Sequence, residues 1–303
     1  MNDILTPDQQ AIQEVWTVQR LLAWTADWLA KTGSPTPRID SEFLLAFVLN
    51  STRLQLILRF DQPVQGDELA AFKHLIRRRA RHEPVAYILG RRGFHDIEVN
   101  VNSAVLVPRP ETETLVDFVV AYLHDSAAVA GPVLDLCTGS GCIGLALLRE
   151  MEKTNAIRDV YATDISAAAL EVASANAVSQ NRVLLAARGD LFEAVAPDLR
   201  FAVIVSNPPY VCTADWSQLE PDVRNFEPRL ALDGGADGLD LARRIVAEAP
   251  YFLLPGGLLA LELGSRAQAL PICALAESRG FTYVRPTQVV GSATYLVTAL
   301  QPY

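Results

Sequence analysis

The stretch Val133-Leu134-Asp135-Leu136-Cys137-Thr138-Gly139-Ser140-Gly141-Cys142 runs from an apolar segment through an acid into a loop with two glycines, and then into a helical pattern. A short apolar run bounded by glycines reads as a strand buried on both faces. Glycines at 139 and 141 let the backbone turn tightly and approach a ligand closely, which a Cβ would obstruct. Outward from this point the pattern repeats. Beyond Pro132, β-like runs at 133–136, 160–163, 183–187, 201–206, 258–262, 283–285 and 295–299 alternate with helical stretches. Such alternation implies an α/β domain with a parallel sheet covered on both faces, which binds ligands at the C-terminal ends of its strands.

Three acids fall at such strand ends. Asp135 precedes the loop Cys137-Thr138-Gly139-Ser140-Gly141, and Asp164 ends the next strand 29 residues later. A carboxylate there can accept from both hydroxyls of a ribose; capping the following helix is the alternative role for Asp164, and the two can coexist. Asp190, after the third strand, can accept from an adenine amino group while Leu191 packs on the ring. These positions suit a nucleoside-bearing cofactor. The loop lacks the GxGxxG form of dinucleotide enzymes, with Cys137 standing where many such loops carry their first glycine. A pyrophosphate would favour free helix N-terminal N–H groups, whereas a sulfonium cofactor offers no phosphate. S-adenosyl-L-methionine therefore fits better than a dinucleotide.

Asn207-Pro208-Pro209-Tyr210 follows the fourth strand, 201–206, at the edge where catalytic loops of open sheets lie. Two prolines remove two backbone donors and fix φ, which leaves the carbonyls of Asn207 and Pro208 free to face a substrate. An amide or aromatic amino nitrogen has a delocalised lone pair. Two acceptors aimed at its N–H bonds can hold it facing a methyl donor, so alignment and polarisation carry the chemistry. Tyr210 can stack on the planar group. Asn207, Pro208 and Tyr210 are the candidate catalytic residues, and Pro209 completes the substrate platform.

The remainder sets bounds. In 303 residues, half of them hydrophobic, there is room for a large core and a smaller satellite. The formal charge of −9 argues against a chain that grips nucleic acid through phosphates. No signal peptide or membrane span is expected, which points to the cytoplasm. Cys137, Cys142, Cys212 and Cys273 lack metal-ligand or disulfide spacing and read as reduced thiols. Helical periodicity fills 8–31, 38–50, 52–59 and 67–82, with Thr6 capping the first helix ahead of Pro7 and Asp67 capping the last. A hairpin is expected from about Gly93, a helix over 111–124, and an irregular stretch over 207–238. The basic run Lys73, Arg77, Arg78, Arg79, Arg81, Arg91 and Arg92 reads first as a solvated helix face and second as a surface for an acidic partner.

Several longer motifs carry a resemblance: Glu83-Pro84-Val85-Ala86-Tyr87-Ile88-Leu89-Gly90, Leu106-Val107-Pro108-Arg109-Pro110-Glu111-Thr112-Glu113, the Cys137–Gly141 loop, Ser206-Asn207-Pro208-Pro209-Tyr210, and Phe226-Glu227-Pro228-Arg229-Leu230-Ala231-Leu232. Over nearly its whole length the chain resembles the protein-glutamine methyltransferases of the HemK/PrmC type, which modify the glutamine of the GGQ motif in bacterial class 1 release factors. The resemblance implies a helical substrate-recognition domain (1–84), a β-hairpin linker (85–110) and a seven-stranded class I methyltransferase, Rossmann-like domain (111–303). It implies cofactor contacts from Cys137 to Gly141 and at Asp164, Leu191 and Asn207, and a substrate platform at Asn207 to Tyr210. Arg109 and Glu111 would shape the pocket rim, or form a helix-start ion pair. The Asp135–Cys142 form also resembles a paralogous group acting on a large-subunit ribosomal protein, which lacks the PETE run. Where many relatives carry a GRDR-like segment, 287–295 reads TQVVGSATY. A nucleic-acid amino methyltransferase and a non-catalytic adaptor remain the alternatives.

Overall fold

The computed structural model describes residues 15–125, 129–154 and 157–303 and divides into two compact units, separated between Leu89 and Gly90. The first unit is helical: α1 (Val18–Lys31), α2 (Pro37–Val48), α3 (Arg53–Leu58), α4 (Gly66–Arg79) and α5 (Val85–Leu89). The expected cap Thr6 lies outside the described residues, and α1 takes its cap from Thr17, whose side chain accepts from the Arg20 amide. Thr52 and Gln55 form a reciprocal capping box on α3. Helix α4 starts ahead of Asp67: Glu68 accepts from the Gln65 amide at 2.6 Å, and Asp67 sits in the first turn instead of capping it. Leu21, Leu29, Leu44, Leu45, Leu56 and Phe72 form the core. The basic run is only partly a solvated face. Arg79 is buried and bonds Asp40 at 2.6 Å, while Arg78 pairs with Glu83.

The second unit begins with an antiparallel hairpin, β1 (Arg91–Phe94) and β2 (Ile97–Asn100). There follow α6 (Pro110–His124), β3 (Val133–Leu136), α7 (Cys142–Thr154), β4 (Val160–Asp164), α8 (Ala167–Ser179), β5 (Leu185–Arg188) and β6 (Phe201–Ser206). After β6 come α9 (Pro221–Phe226), α10 (Asp240–Glu248), β7 (Leu253–Leu263), α11 (Arg266–Ser278), β8 (Thr282–Gln288) and β9 (Tyr295–Leu300). The sheet order is β5-β4-β3-β6-β7-β9-β8. It is mixed, not wholly parallel as the alternation of elements suggested. β8 returns through a short turn into β9, where Val289 donates to Thr294 O, and β9 inserts antiparallel between β7 and β8. A connection that short can join only antiparallel strands.

Strand β7 starts five residues earlier than its apolar run suggested, because Pro255, Gly256 and Gly257 are absorbed by a register shift against β6. Pro286 is tolerated in β8 because that strand is an edge. The irregular stretch after β6 holds α9 and short 3-10 turns at Thr213–Gln218 and Arg229–Ala231.

From β3 the chain winds outward through β4 to β5, then returns to place β6 on the other side of β3. The topological switch point therefore lies between β3 and β6, and the loops that leave these strands flank one crevice. Asn176 on α8, wholly buried, ties the hairpin to the first loop. Its Nδ2 donates to Asn100 O (3.0 Å) and Ser140 O (2.9 Å), and its Oδ1 accepts from Asn100 N (2.7 Å). Asn176→Ala is expected to destabilise the fold by about 2 kcal/mol, since several polar groups lose partners away from water. A urea midpoint shift at unchanged slope would register it, and an unaltered midpoint would refute it.

Candidate active site

Residues 137–141 cross from β3 to α7 in a conformation that L side chains rarely adopt: φ is +58° at Cys137, +55° at Gly139 and +79° at Gly141. Cys137 thus stands where a glycine would relax the backbone. At Gly141 the positive φ favours glycine, and a Cβ there would also press on Ala173 Cβ at 3.2 Å. The loop is held from behind. Asp135 is wholly buried, and its Oδ2 accepts from Thr138 Oγ1 at 2.7 Å and from Gly144 N at 3.1 Å. Unlike Cys137, Thr138, Gly139 and Ser140, Asp135 does not line the adjoining cavity; its bonds run to the loop and to the start of α7.

Burial drives the Asp135 carboxyl up to about 7, against the lowering effect of its bonds to Thr138 and Gly144. The folded chain therefore keeps a proton on Asp135 between about pH 4 and 7, where the unfolded chain loses it. This group favours folding below that window, and the contribution disappears as the pH rises through 7. Relative to wild type, Asp135→Asn is expected to gain stability as the pH rises from about 4 to about 7 and then level off. Denaturant titrations across that range check the trend; a flat difference contradicts it.

The cavity, of about 250 Å³, lies over the C-terminal ends of β3, β4 and β6. Asp164 enters its wall with both oxygens engaged, Oδ2 accepting from Gly139 N and Oδ1 from Ser166 N, each at 2.9 Å. Helix α8 is capped by Ser166, which accepts from Ala169 N, so the alternative capping role for Asp164 falls to its neighbour. Each carboxylate oxygen still has a lone pair to offer, and burial raises the pKa of Asp164. Asp190 and Leu191 form another part of the wall. Asp190 shares Oδ2 with Arg244 at 3.1 Å, and Leu191, at φ +54°, joins the wall while belonging to the hydrophobic core. The Cys137 thiol is pushed up to about 12, by burial and then by Asp164, and is no nucleophile.

Asn207 and Pro209 close the cavity from the β6 side; Pro208 and Tyr210 lie outside its wall. Asn207 Nδ2 donates to Thr112 Oγ1 at 3.1 Å, across a sequence separation of 95 residues. The Tyr210 hydroxyl donates to Glu262 Oε1 at 3.3 Å, and its ring lies against Gly264, where an added Cβ would meet it at 2.8 Å. The carbonyl of Tyr210 accepts from Gln268 Nε2 at 2.7 Å. Arg109 does line the cavity, but it forms no helix-start pair with Glu111. It bonds Glu227 at 2.6 Å, and the second Glu227 oxygen accepts from Val107 N. The PRPETE and FEPR motifs are thus two halves of one clamp. Glu111 lies outside the cavity wall.

Sequence reading gave no role to Thr112 and Glu227, which it quoted only within motifs, and passed over Glu262 and Gln268. The clearest missed signal was Glu262 itself, an acid inside the apolar run 258–263, where burial without donors would be costly.

The strand order, with a glycine loop and a proline loop flanking the switch point, is that of the class I methyltransferases. Among solved structures the chain is similar to the catalytic domain of hMettl16 in complex with a 3′UTR hairpin (TM-score 0.58, 14% identity, 74% of this chain and 84% of that one). It is also similar to the T. thermophilus 16S rRNA methyltransferase RsmC in complex with AdoMet and guanosine (TM-score 0.51, 19% identity, 70% and 49%). Both likenesses are of fold alone. Residues 20–90 match the PrmC N-terminal domain family, and residues 113–219 match the methyltransferase small domain family. A release factor glutamine methyltransferase of Geobacter sulfurreducens is 41% identical over 88% of this chain and 91% of its own length. One from Rhodopirellula baltica is 42% identical over 82% and 84%. The chain belongs to the release factor glutamine methyltransferase family, a family of S-adenosylmethionine-dependent enzymes. Among the described residues no helix is long and apolar enough to cross a membrane.

Proposed function

We propose that this enzyme methylates the side-chain amide nitrogen of the GGQ glutamine in class 1 peptide chain release factors, in the cytoplasm, with S-adenosyl-L-methionine as donor. The observation that carries the reading is Asn207, held by Thr112 at the end of β6 on the rim of the cavity that the glycine loop and Asp164 also line.

The residues present fit the cofactor. Asp164 keeps lone pairs for ribose hydroxyls, Asp190 can accept from the adenine amino group, and Leu191 offers an apolar surface to its ring. Cys137 to Ser140 bring backbone close to whatever the cavity holds, while Gly141 lies just behind its wall. Bound there, S-adenosylmethionine supplies an electrophilic methyl group on a cationic sulfur. The protein's own contribution is orientation. With Asn207 Nδ2 committed to Thr112, Oδ1 is left as acceptor, and it joins the Pro208 carbonyl in gripping the two N–H bonds of a primary amide. Held so, the weakly nucleophilic nitrogen faces the cavity, the two acceptors stabilise the positive charge that develops on it during transfer, and the excess proton leaves to water afterwards. Proline at 208 and 209 keeps this segment from refolding around the substrate.

The relatives' names support a release factor as acceptor, and the PETE run supports it over a ribosomal protein. Labelled S-adenosylmethionine should transfer its label to a release factor, with the modified GGQ peptide identified by mass spectrometry. Parallel incubations contain a large-subunit ribosomal protein fraction and duplex DNA; label confined to either would replace this acceptor.

A further inference from the structure

We infer that Arg244 is a positioning residue for the cofactor: from helix α10 it takes one carboxylate oxygen of Asp190 and leaves the other for the adenine amino group, which makes the cavity selective for a purine with a donor at its 6-position. This role rests on the proposed reading of Asp190 and Leu191 as the adenine end of the cavity.

Arg244 lines the cavity beside Asp190, and so does Leu241, one turn earlier on α10. Positions three apart share one helix face, so α10 brings an apolar residue and a cation to this wall together. Its buried residues Ala242, Ile245 and Val246 anchor the helix in the core. Arg244 Nη1 donates to Asp190 Oδ2 at 3.1 Å, and among the described residues no hydrogen bond engages Asp190 Oδ1. The other arginine of the wall, Arg109, is committed to Glu227.

Two ordinary uses of this aspartate are not met. Asp190 immediately precedes the 3-10 turn Leu191–Ala194, yet its side chain makes no capping bond to that turn. Nor does the ion pair serve stability: the Arg244 and Asp190 side chains are 46% and 34% exposed, and pairs so open to water add little to folding. The backbone beneath is fixed. Gly189 N donates to Asp164 O at 3.1 Å, and a Cβ at Gly189 would meet Ala194 N at 2.7 Å, so the turn closes tightly. Only the side-chain torsions of Asp190 are left free, and the bond to Arg244 restrains them. An ionised carboxylate only accepts, so with Oδ2 occupied Oδ1 offers its lone pairs to a ligand N–H. Restraint before binding removes part of the ordering cost that a freely turning carboxylate would incur when the amino group arrives.

The test uses the full chain and reads binding. Calorimetric titration compares S-adenosylhomocysteine with its 6-deamino analogue, whose purine lacks only the amino group. The wild-type chain should bind the former about tenfold or more tightly, because hydrogen bonds to a charged acceptor are the stronger ones. In Arg244→Met that preference should fall to about threefold or less, with affinity for the deamino analogue within about twofold of wild type. Arg244→Lys, which keeps a cation without the planar fork, should recover most of the preference. In turnover the loss in Arg244→Met should fall on KM for S-adenosylmethionine, with kcat at saturating cofactor within about threefold. Arg243→Met is the control. It loses an ion pair to Asp237, outside the wall, and should leave both affinities within about twofold. Absence of the preference in the wild-type chain, or equal weakening of both ligands in Arg244→Met, overturns the inference; the second result would mean that Arg244 only shapes the wall. A preference that collapses in Arg244→Met, in a chain that labels no release factor, would reject the acceptor and leave the role of Arg244 standing.

Discussion

Asn207→Ala is expected to lower kcat by about a hundred- to a thousandfold, the scale seen when one preorganised hydrogen-bonding group is removed from a transition state. Cofactor affinity should stay within about tenfold, because one lost hydrogen bond typically costs about 0.5–1.5 kcal/mol. The asymmetry follows from where Asn207 sits. It closes one edge of a cavity whose other walls, the glycine loop, Asp164 and Leu191, belong to β3, β4 and β5 and do not depend on it. Its side chain is fixed by Thr112 from α6, so truncation removes the acceptor and frees Thr112 without emptying the core. Single-turnover rates with labelled cofactor, beside calorimetric titration of S-adenosylhomocysteine, separate the two effects. Retained turnover would contradict the role assigned to the proline loop.

Gly238→Ala is expected to cost about 4 kcal/mol of stability and most of the activity. Gly238 has φ +74°, and an added Cβ would lie 2.1 Å from the Tyr210 carbonyl oxygen and 2.3 Å from Gln268 Nε2. That carbonyl and that amide are bonded to each other at 2.7 Å, so a methyl group would wedge open the contact that anchors the 207–210 loop to α11. A left-handed residue with a Cβ contributes roughly 1–2 kcal/mol of the loss and overpacking up to about 3. Gly280→Ala serves as control. Its φ of +90° imposes a similar torsional penalty, yet nothing lies within 4 Å of the added carbon. That variant should lose only about 1–2 kcal/mol and keep full turnover. Equal losses in the two variants, read by denaturant unfolding, would show that torsion alone accounts for the effect and that Gly238 does not support the loop.

These expectations draw on contacts that differ in how far the sequence announces them. Val133–Leu136 and Phe201–Ser206 form strands with the bounds their apolar runs suggest. Every residue of these runs is buried, and glycine or proline close beyond each end stops the strand. The edges of the sheet were read less well. β5 is shorter and shifted, β8 longer, and the β8–β9 pair antiparallel, because edge strands mix exposed and buried positions and tolerate proline. In the helical unit, the basic run gave no hint that Arg79 turns inward to Asp40, 39 residues away. Burial of one arginine among several depends on which face of α4 meets α2.

Local chemistry placed the glycine loop, Asp164, Asp190 and Asn207 at the ends of successive strands, since strand ends and turn formers are written in short windows of residues. What holds these groups is another matter. Thr112 meets Asn207 across 95 residues, Glu227 meets Arg109 across 118, and Tyr210 meets Glu262 across 52. Each pairing exists only once β6 has returned to the far side of β3 and β7 has paired beside it. Strand order is a property of the whole packed sheet, set by which buried faces fit together. No short window of sequence contains it, and so the orientation of the Asn207 carboxamide was left for the tertiary fold to decide.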